Sequence, residues 1–240
     1  MKQTTPVGDD NQESRLIWQF FDCATKGFFV EVGANHPTEL NQTWFLEQQG
    51  WSGVLIEPNP NLCGLLRAQR PRSRTFQAAV GNAEQTGEVE LFLGESHVHS
   101  TLKPFLDDPL SGAKIRVPLR TLDSILAEAG AGRIDFLSID VEGLELQVLR
   151  GFDLARHRPA VLLVEDHLLR LDVHRHLARH GYRVVKRTGE NNWYVPKQQP
   201  FHMTTWTERL KLFRKMFLGL PFRKVRLSLR RRQHHATPAA

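Results

Sequence analysis

Short apolar runs alternate with amphipathic stretches along most of the chain. Five mostly apolar runs predict strands, at residues 28–32, 54–56, 75–80, 136–139 and 160–164. Strands buried on both faces of a parallel sheet lack polar alternation, as these runs do. Apolar residues at helical spacing predict helices between them, at residues 14–25, 41–49, 62–66, 122–129, 144–149 and 168–180. The alternation predicts parallel strands joined by helical crossovers.

Two further features complete the predicted sheet. Residues 87–93 predict an additional strand, and residues 182–187 and 193–195 predict a hairpin around a turn at 189–192. Residues 97–115 contain Gly and Pro without a clear period, which predicts a loop that could cover a site. The predicted fold class is therefore α/β, a doubly wound and mostly parallel sheet closed by an antiparallel hairpin.

The chain divides into three predicted parts. Residues 1–13 are polar and predict a disordered N-terminus, 14–200 form one domain, and 201–240 form a basic tail. The two cysteines, Cys23 and Cys63, lack metal-ligand spacing, which suits a reducing compartment. The N-terminus has no apolar leader, and no run of about 18 apolar residues occurs. A cytoplasmic location is expected.

The net charge of +6 comes from the tail alone. Ten Lys or Arg residues lie between positions 209 and 232, and no Asp or Glu follows Glu208. Without those ten, the chain has 22 basic and 26 acidic residues. The predicted domain is thus mildly acidic, and the tail needs its own explanation.

Candidate site residues cluster at the predicted carboxyl ends of four strands. In chain order they are Glu31, Gly33, Asn35, Glu57, Asp140, Glu142, Glu165, Asp166 and His167. Ligands of open α/β sheets bind beyond the carboxyl ends of the strands, near the point where the strand order reverses. The sequence therefore predicts one binding crevice at this edge.

The loop after the first predicted strand favours a nucleoside ligand that has no pyrophosphate group. It reads Gly33-Ala-Asn-His-Pro37 and lacks the second and third glycines of the dinucleotide pattern and the Lys-Ser/Thr of a phosphate loop. Gly33 allows close approach of the backbone to a ligand. Glu57, 24 residues beyond Gly33, is placed to accept hydrogen bonds from both ribose hydroxyls. The alternatives are a plain strand-to-helix turn at Gly33 and a helix-capping role for Glu57.

Six short motifs in the chain are similar to those of a known family. They are Phe29-Val-Glu-Val-Gly-Ala-Asn35, Asn41-Gln-Thr43, Gly50-Trp-Ser-Gly53, Ile56-Glu-Pro-Asn-Pro60, Arg120-Thr-Leu-Asp123 and Ile134-Asp-Phe-Leu-Ser-Ile-Asp-Val-Glu-Gly143. They resemble FkbM-type methyltransferases over residues 28–195. Membership implies a seven-stranded, Rossmann-like class I fold. It also implies methyl transfer from S-adenosylmethionine, commonly to a hydroxyl of a sugar, glycolipid or polyketide.

The resemblance also implies site residues by position. They are Glu31, Gly33 and Asn35 at the methionine end, Glu57 at the ribose, and Ala79 beside the adenine. One position departs from the family, because Pro37 stands where a glycine is usual. Since proline cannot adopt positive φ, the first loop is expected to differ in shape.

Asp140 and Glu142 follow the fourth strand, where the transferred methyl is expected, and alternation points them to the same side. Because the reaction needs positioned partners and removal of a proton, the candidate catalytic residues are Asp140, Glu142, Glu165 and His167. Glu142 could instead be a first-turn helix acid. A divalent cation held by Asp140, Glu165 and Asp166 is left open, although metal dependence is not the expectation.

The predicted hairpin turn lies on the ligand side of the sheet, because the strand that precedes it runs parallel to the others. Asn191 in this turn is therefore predicted, with Asp166, to contact the acceptor. Turn chemistry alone is the alternative explanation for the asparagine.

The tail predicts a basic amphipathic helix. Its apolar residues share one helical stripe, formed by Trp206, Leu210, Phe213, Phe217 and Leu220. Basic residues lie between them, which predicts that residues 206–232 bind in the plane of an anionic membrane. The alternative is that the stripe packs on the domain. Nucleic acid is not an expected partner, because no base-stacking module accompanies the charge.

The sequence thus predicts a cytoplasmic, S-adenosylmethionine-dependent O-methyltransferase. Its expected acceptor is a hydroxyl of a glycan, glycolipid or related precursor, with peripheral binding at the inner face of the membrane. One alternative is an NAD(P)-dependent oxidoreductase, which the missing glycines disfavour. Another is a non-catalytic membrane-surface module, which is disfavoured by the retention of four acids, Glu31, Glu57, Asp140 and Glu142.

Overall fold

The computed structural model describes residues 12–39, 41–84, 87–92, 114–168 and 171–219. Its main sheet has seven strands in the order β3-β2-β1-β7-β8-β10-β9. The strands are β1 (Phe28–Val32), β2 (Ser52–Ile56), β3 (Ser73–Phe76), β7 (Phe136–Ile139), β8 (Val161–Glu165), β9 (Tyr182–Thr188) and β10 (Asn191–Pro196). Only β10 pairs antiparallel with its neighbours in this sheet. The predicted doubly wound sheet with a closing hairpin is confirmed.

Eight helices are described in the resolved ranges. They are α1 (Gln12–Phe20), α2 (Trp44–Gln48), α3 (Pro60–Gln69), α4 (Leu122–Ala129), α5 (Glu145–Arg150), α6 (Leu154–His157), α7 (Asp172–Arg179) and α8 (Trp206–Phe213), the last continued by a π-helical turn over Arg214–Leu218. The helices cover both faces of the sheet, as the uniformly apolar strands require.

Alternation along β1 shows how the two faces are built. Val30 and Val32 contribute to the core on the α4, α5 and α7 side, whereas Phe29 packs on the other side with Ile17 of α1 and Leu46 of α2. All of these side chains are buried. Because successive strand residues point to opposite faces, Glu31 shares the α1 and α2 side with Phe29.

A second, three-stranded sheet has the order β4-β6-β5 and comprises β4 (Ala79–Val80), β5 (Gly87–Phe92) and β6 (Lys114–Arg120). It corrects two predictions. Residues 75–80 are not one strand, because Phe76 pairs in the main sheet and Ala79 in the second. The predicted loop at 97–115 ends in a strand that pairs with β5, and residues 97–113 lie outside the described ranges.

Left-handed backbone shortens two predicted helices. The helix predicted at 14–25 ends at Phe20, since Asp22 and Cys23 have φ of 53° and 57°. The helix predicted at 168–180 begins only at Asp172, because Leu168 has a φ of 55°. A right-handed helix cannot accommodate such residues.

The domain boundaries also differ from the prediction. Glu13 lies in α1, although 1–13 were predicted to be disordered, and residues 1–11 lie outside the described ranges. At the other end, Phe201 is 3% exposed and packs in the core. The buried Thr204 donates to the carbonyl oxygen of Val185. The folded unit therefore extends beyond the predicted boundary at residue 200.

The tail helix α8 is anchored at its first turn. Thr205 and Glu208 form a reciprocal capping box, and Lys186 of β9 contacts the Glu208 carboxylate at 3.1 Å. Within the described residues, no helix has the length and apolar character needed to cross a membrane. Residues 220–240, including Leu220 of the predicted stripe, are not among those described.

Candidate active site

A crevice of about 180 Å³ lies beyond the carboxyl ends of β1, β2 and β7. The chain continues from β1 to β2 and β3 on one side and later returns to place β7 on the other side of β1. The strand order therefore reverses here, where open α/β sheets bind ligands. The predicted site residues that line it are Gly33, Asn35, Glu57, Ala79, Asp140 and Glu142. The other predicted site residues, Glu31, Glu165, Asp166, His167 and Asn191, are not among those that line it.

The turn after β1 depends on glycine. Gly33 has a φ of +82°, and a Cβ on it would lie 1.8 Å from the carbonyl oxygen of Asp140. Its N–H and that of Ala34 both donate to the carbonyl oxygen of Ile56, at 2.9 and 3.1 Å. The loop after β1 is thus held tightly between the ends of β2 and β7.

Glu57 fixes the backbone on two sides of the crevice. Its Oε2 accepts from the N–H of Asn35 and its Oε1 from the N–H of Asn59, each at 2.9 Å. The side chain is 4% exposed, and burial raises its pKa above the usual range. Carboxylate oxygens accept more than one hydrogen bond, so Glu57 keeps acceptor capacity toward the crevice.

Asn35 presents an unpaired acceptor. It has a φ of 50°, a left-handed conformation that asparagine tolerates, and its N–H is used by Glu57. Its Oδ1 is buried, and it has no hydrogen-bond partner among the described residues. Because Asn35 lines the crevice, this oxygen could accept a hydrogen bond from a ligand.

One side of the crevice is apolar. Ile56 and Leu62 from the β2–α3 region face Ala78, Val80 and Leu91, which come from the junction of the two sheets. Such a surface suits a flat ring system, since ligand sites combine apolar walls with a few placed polar groups.

Glu31 lies behind the crevice. Its Oε2 accepts from the Thr43 hydroxyl at 2.6 Å and its Oε1 from the Gln42 N–H at 3.2 Å. It is 1% exposed, and burial, partly offset by Arg70, raises its pKa to about 7. Gln42 lines the crevice, whereas Glu31 does not. Glu31 therefore positions the 41–43 segment.

Arg70 completes a buried polar network that the sequence did not reveal. Its Nε lies 2.7 Å from Glu47 Oε2, and both side chains are almost fully buried. Its other nitrogens donate to the carbonyl oxygen of Pro37, to Asn41 Oδ1 and to the Thr43 hydroxyl. The carbonyl of Pro37, where the sequence departs from the family pattern, is thus held by Arg70.

The crevice opens at one end onto three carboxyl groups, Asp140, Glu142 and Glu165, here called the acidic edge. The carboxyl groups of Asp140 and Glu165 hydrogen-bond to each other. Burial raises the pKa of both, and the charge of Asp140 raises that of Glu165 further. Two acids that interact in this way titrate as a pair, and the first proton leaves the pair more readily than the second.

A cation could also bind at the acidic edge. Ligand atoms of Glu142, Glu165 and His167 lie within 4.8 Å of one another. This set differs from the predicted one. Asp166 is not part of it, and its Oδ1 accepts from the Leu168 N–H at 2.7 Å while its Oδ2 accepts from Asn192 Nδ2 at 3.4 Å. His167 Nδ1 lies 2.7 Å from Glu190 Oε2.

The β9–β10 turn lies beside the acidic edge, as expected. The N–H of Asp166 donates to the carbonyl oxygen of Glu190 at 3.0 Å, which ties the turn to the end of β8. Asn191 belongs to β10 and donates from Nδ2 to Glu13 Oε2 at 2.9 Å. Glu13 also accepts from the Thr188 hydroxyl. Sequence reasoning missed Glu13, because it lies in a segment predicted to be disordered.

Comparison with known proteins gives a family match. The sequence model of the methyltransferase FkbM domain matches residues 31–184. The antimetabolite synthetase AmbE of Pseudomonas aeruginosa is 34% identical over 109 residues, 40% of this chain and 5% of AmbE. Methyltransferase sdnD of Sordaria araneosa is 36% identical over 101 residues, 38% of this chain and 39% of sdnD. The chain thus spans less than half the length of either relative.

The chain also resembles solved structures at low sequence identity. A TehB-like SAM-dependent methyltransferase from Corynebacterium glutamicum is 13% identical, with a TM-score of 0.43. The alignment covers 78% of this chain and 89% of that protein.

Proposed function

Because the chain belongs to the FkbM methyltransferase family, as its motifs predicted, we propose that it transfers the methyl group of S-adenosylmethionine to a hydroxyl group. The observation that carries the proposal is the crevice, which places an apolar wall, a buried carboxylate and an acidic edge in one continuous site. A nicotinamide-dependent oxidoreductase, the first alternative, gains no support from this match.

The residues of the crevice fit the proposed cofactor. The buried Oδ1 of Asn35 has no partner among the residues described, and it would accept a hydrogen bond from the ammonium group of the methionine moiety. Glu57 would accept from the ribose hydroxyls, and Ala79 with the apolar wall would border the adenine. Gly33 allows the backbone of the first loop to approach closely.

The acidic edge supplies a base. Bound S-adenosylmethionine offers an electrophilic methyl group on a sulfonium. In our proposal Asp140 is the ionised member of the pair, and the protonated Glu165 donates a hydrogen bond to it. As the acceptor oxygen attacks, its proton passes to the Asp140 carboxylate, and the electrons of the carbon–sulfur bond return to sulfur. Asp140 thereby keeps the attacking oxygen nucleophilic.

We further propose a glycan, glycolipid or related precursor as the acceptor. Support comes from the polar surroundings of the acidic edge, where Asn191, Glu190 and His167 offer donors and acceptors to a hydroxyl-rich molecule. For a lipid-linked acceptor the reaction takes place at a membrane surface. The alternative of a non-catalytic module requires that the crevice binds no cofactor.

The test compares two aspartate variants. We expect Asp140→Asn to lower kcat by about 10²- to 10⁴-fold, the usual contribution of a general base, with little change in affinity for S-adenosylhomocysteine. Asp172→Asn is the matched control, because Asp172 is a surface carboxylate of α7 paired with Arg175. Activity is measured as transfer of a tritiated methyl group to glycolipid and oligosaccharide fractions from a strain lacking the gene.

Full activity of Asp140→Asn would remove the residue from the mechanism. Binding of NAD but not S-adenosylhomocysteine in calorimetry would overturn the proposed reaction. Adding EDTA to the wild type tests the cation alternative, since activity would be lost only if a bound cation is required.

A further inference from the structure

The tail helix carries an exposed apolar stripe. Trp206 is 77% exposed, Leu210 49%, Phe213 52% and Phe217 36%. With about 100° of rotation per residue, Trp206, Leu210 and Phe213 lie within an arc of about 60°. These four side chains are here called the outer face of α8. Several exposed apolar side chains on one helix face are typical of an interaction site.

The outer face is exposed although the helix itself is docked. Met216, on the adjoining face, is fully buried against Leu168 and Leu171, and Leu212 packs beside it. Phe217 also meets the His174 ring edge-on, with ring centroids 5.5 Å apart. The two predicted alternatives for the stripe therefore apply to different residues. Phe217 contacts the domain, whereas Trp206, Leu210 and Phe213 remain exposed.

The charges around the outer face have one sign. Arg209, Lys211, Arg214 and Lys215 are exposed. Glu208 lies on the domain side, where it pairs with Lys186. Arg209 and Arg214 flank the stripe, each within about 80° of Trp206 around the helix axis. Apolar residues bordered by cations are typical of helices that lie in the plane of an anionic lipid surface.

We propose that the outer face of α8 docks onto an anionic lipid bilayer and brings the acidic edge to its surface. The link is direct, because the buried Met216 contacts Leu168, which directly follows His167. The docked helix would hold the acidic edge beside the headgroups, where a lipid-linked acceptor is presented. The presentation of a lipid-linked acceptor rests on the function proposed above, whereas the docking of α8 onto a bilayer does not.

The experiment measures co-sedimentation of the full-length protein with vesicles. We expect binding to phosphatidylcholine vesicles that contain phosphatidylglycerol, weaker binding at high salt, and little binding to pure phosphatidylcholine. Each cation near an anionic surface contributes about fivefold in affinity. Lys211→Glu with Arg214→Glu should therefore weaken binding at least about 25-fold. Arg116→Glu with Arg179→Glu, at exposed positions elsewhere, is the matched control and should leave binding nearly unchanged.

A second pair tests the apolar contribution. Leu210→Ser with Phe213→Ser should reduce binding, whereas Leu65→Ser, which alters a 41% exposed leucine on α3, should not. Affinity for S-adenosylhomocysteine should stay at the wild-type value in every variant, which also shows that each folds.

Three results would overturn the proposal. The first is equal sedimentation with neutral and anionic vesicles. The second is a wild-type protein that dimerises without lipid and a Leu210→Ser, Phe213→Ser variant that does not. The third is binding to RNA that is tighter than binding to vesicles. The second would assign the outer face to another copy of the chain, and the third would assign the cations to nucleic acid. Vesicle binding needs no methyl transfer, so failure of the proposed reaction leaves this test intact.

Discussion

Glu57 and Glu31 are both buried acids at the ends of neighbouring strands, yet only Glu57 lines the crevice. Substitution of each by glutamine therefore separates a ligand contact from a scaffold contact. If Glu57 binds the ribose, Glu57→Gln loses a charge-assisted hydrogen bond of about 1.5–3 kcal/mol, or roughly 10- to 100-fold in affinity. Glu31→Gln should leave affinity unchanged.

Glu57→Gln also has a predictable cost in stability. The two carboxylate oxygens accept from the N–H groups of Asn35 and Asn59, and a glutamine amide can replace only one of them. The other buried N–H then faces a donor and loses its partner, which costs about 1–3 kcal/mol in the free energy of unfolding. The variant should thus be less stable but folded.

Calorimetric titration with S-adenosylhomocysteine measures the affinities, and urea unfolding followed by tryptophan fluorescence measures the stabilities. If folded Glu57→Gln binds as tightly as the wild type, Glu57 does not contact the ribose. If Glu31→Gln weakens binding as much as Glu57→Gln, Glu31 acts on the ligand despite its position behind the crevice.

Two further predictions follow from the same loops. Gly33→Ala should abolish cofactor binding or folding, because its Cβ would lie 1.8 Å from the Asp140 carbonyl oxygen. The control is Gly64→Ala on α3, where a Cβ meets open space. It should leave the melting temperature measured by circular dichroism unchanged or raise it. Burial raises the pKa of Glu31 to about 7 from an ordinary value near 4.5, so the folded state binds more protons between these values. The free energy of unfolding should therefore fall as pH rises from about 4.5 to about 7, by up to about 3 kcal/mol from this group, and Glu31→Gln should remove that part of the slope.

Local periodicity predicted several elements with the observed bounds. Phe28–Val32, Leu122–Ala129 and Phe136–Ile139 match their predicted ranges, because their apolar pattern is complete within a few residues. Lys114–Arg120 was missed although it alternates in polarity. Pro118 disfavours a strand within it, and its partner β5 lies more than 20 residues away.

The buried ion pair shows a second limit. Arg70 and Glu47 look like surface residues in the sequence, since long charged side chains are almost never fully buried unless paired. Their pairing joins α2 to the end of α3, and only the folded chain brings them together. Such a pair leaves no pattern in the local sequence. The residues at the strand ends could be predicted, because ligands of open α/β sheets bind beyond the carboxyl ends of the strands.

The family match covers only part of the residues that surround the candidate site. Glu57 and the acidic edge lie within residues 31–184, whereas Glu13, Asn191 and the outer face of α8 lie outside that range. Glu13 and Asn191 hydrogen-bond to each other beside the acidic edge, and α8 reaches the same side through Met216. We infer that the matched segment defines the methyl-donor site, while the segments that flank it border the place where an acceptor would bind. Exchanging the flanks between relatives should accordingly change the acceptor while the affinity for S-adenosylhomocysteine is kept.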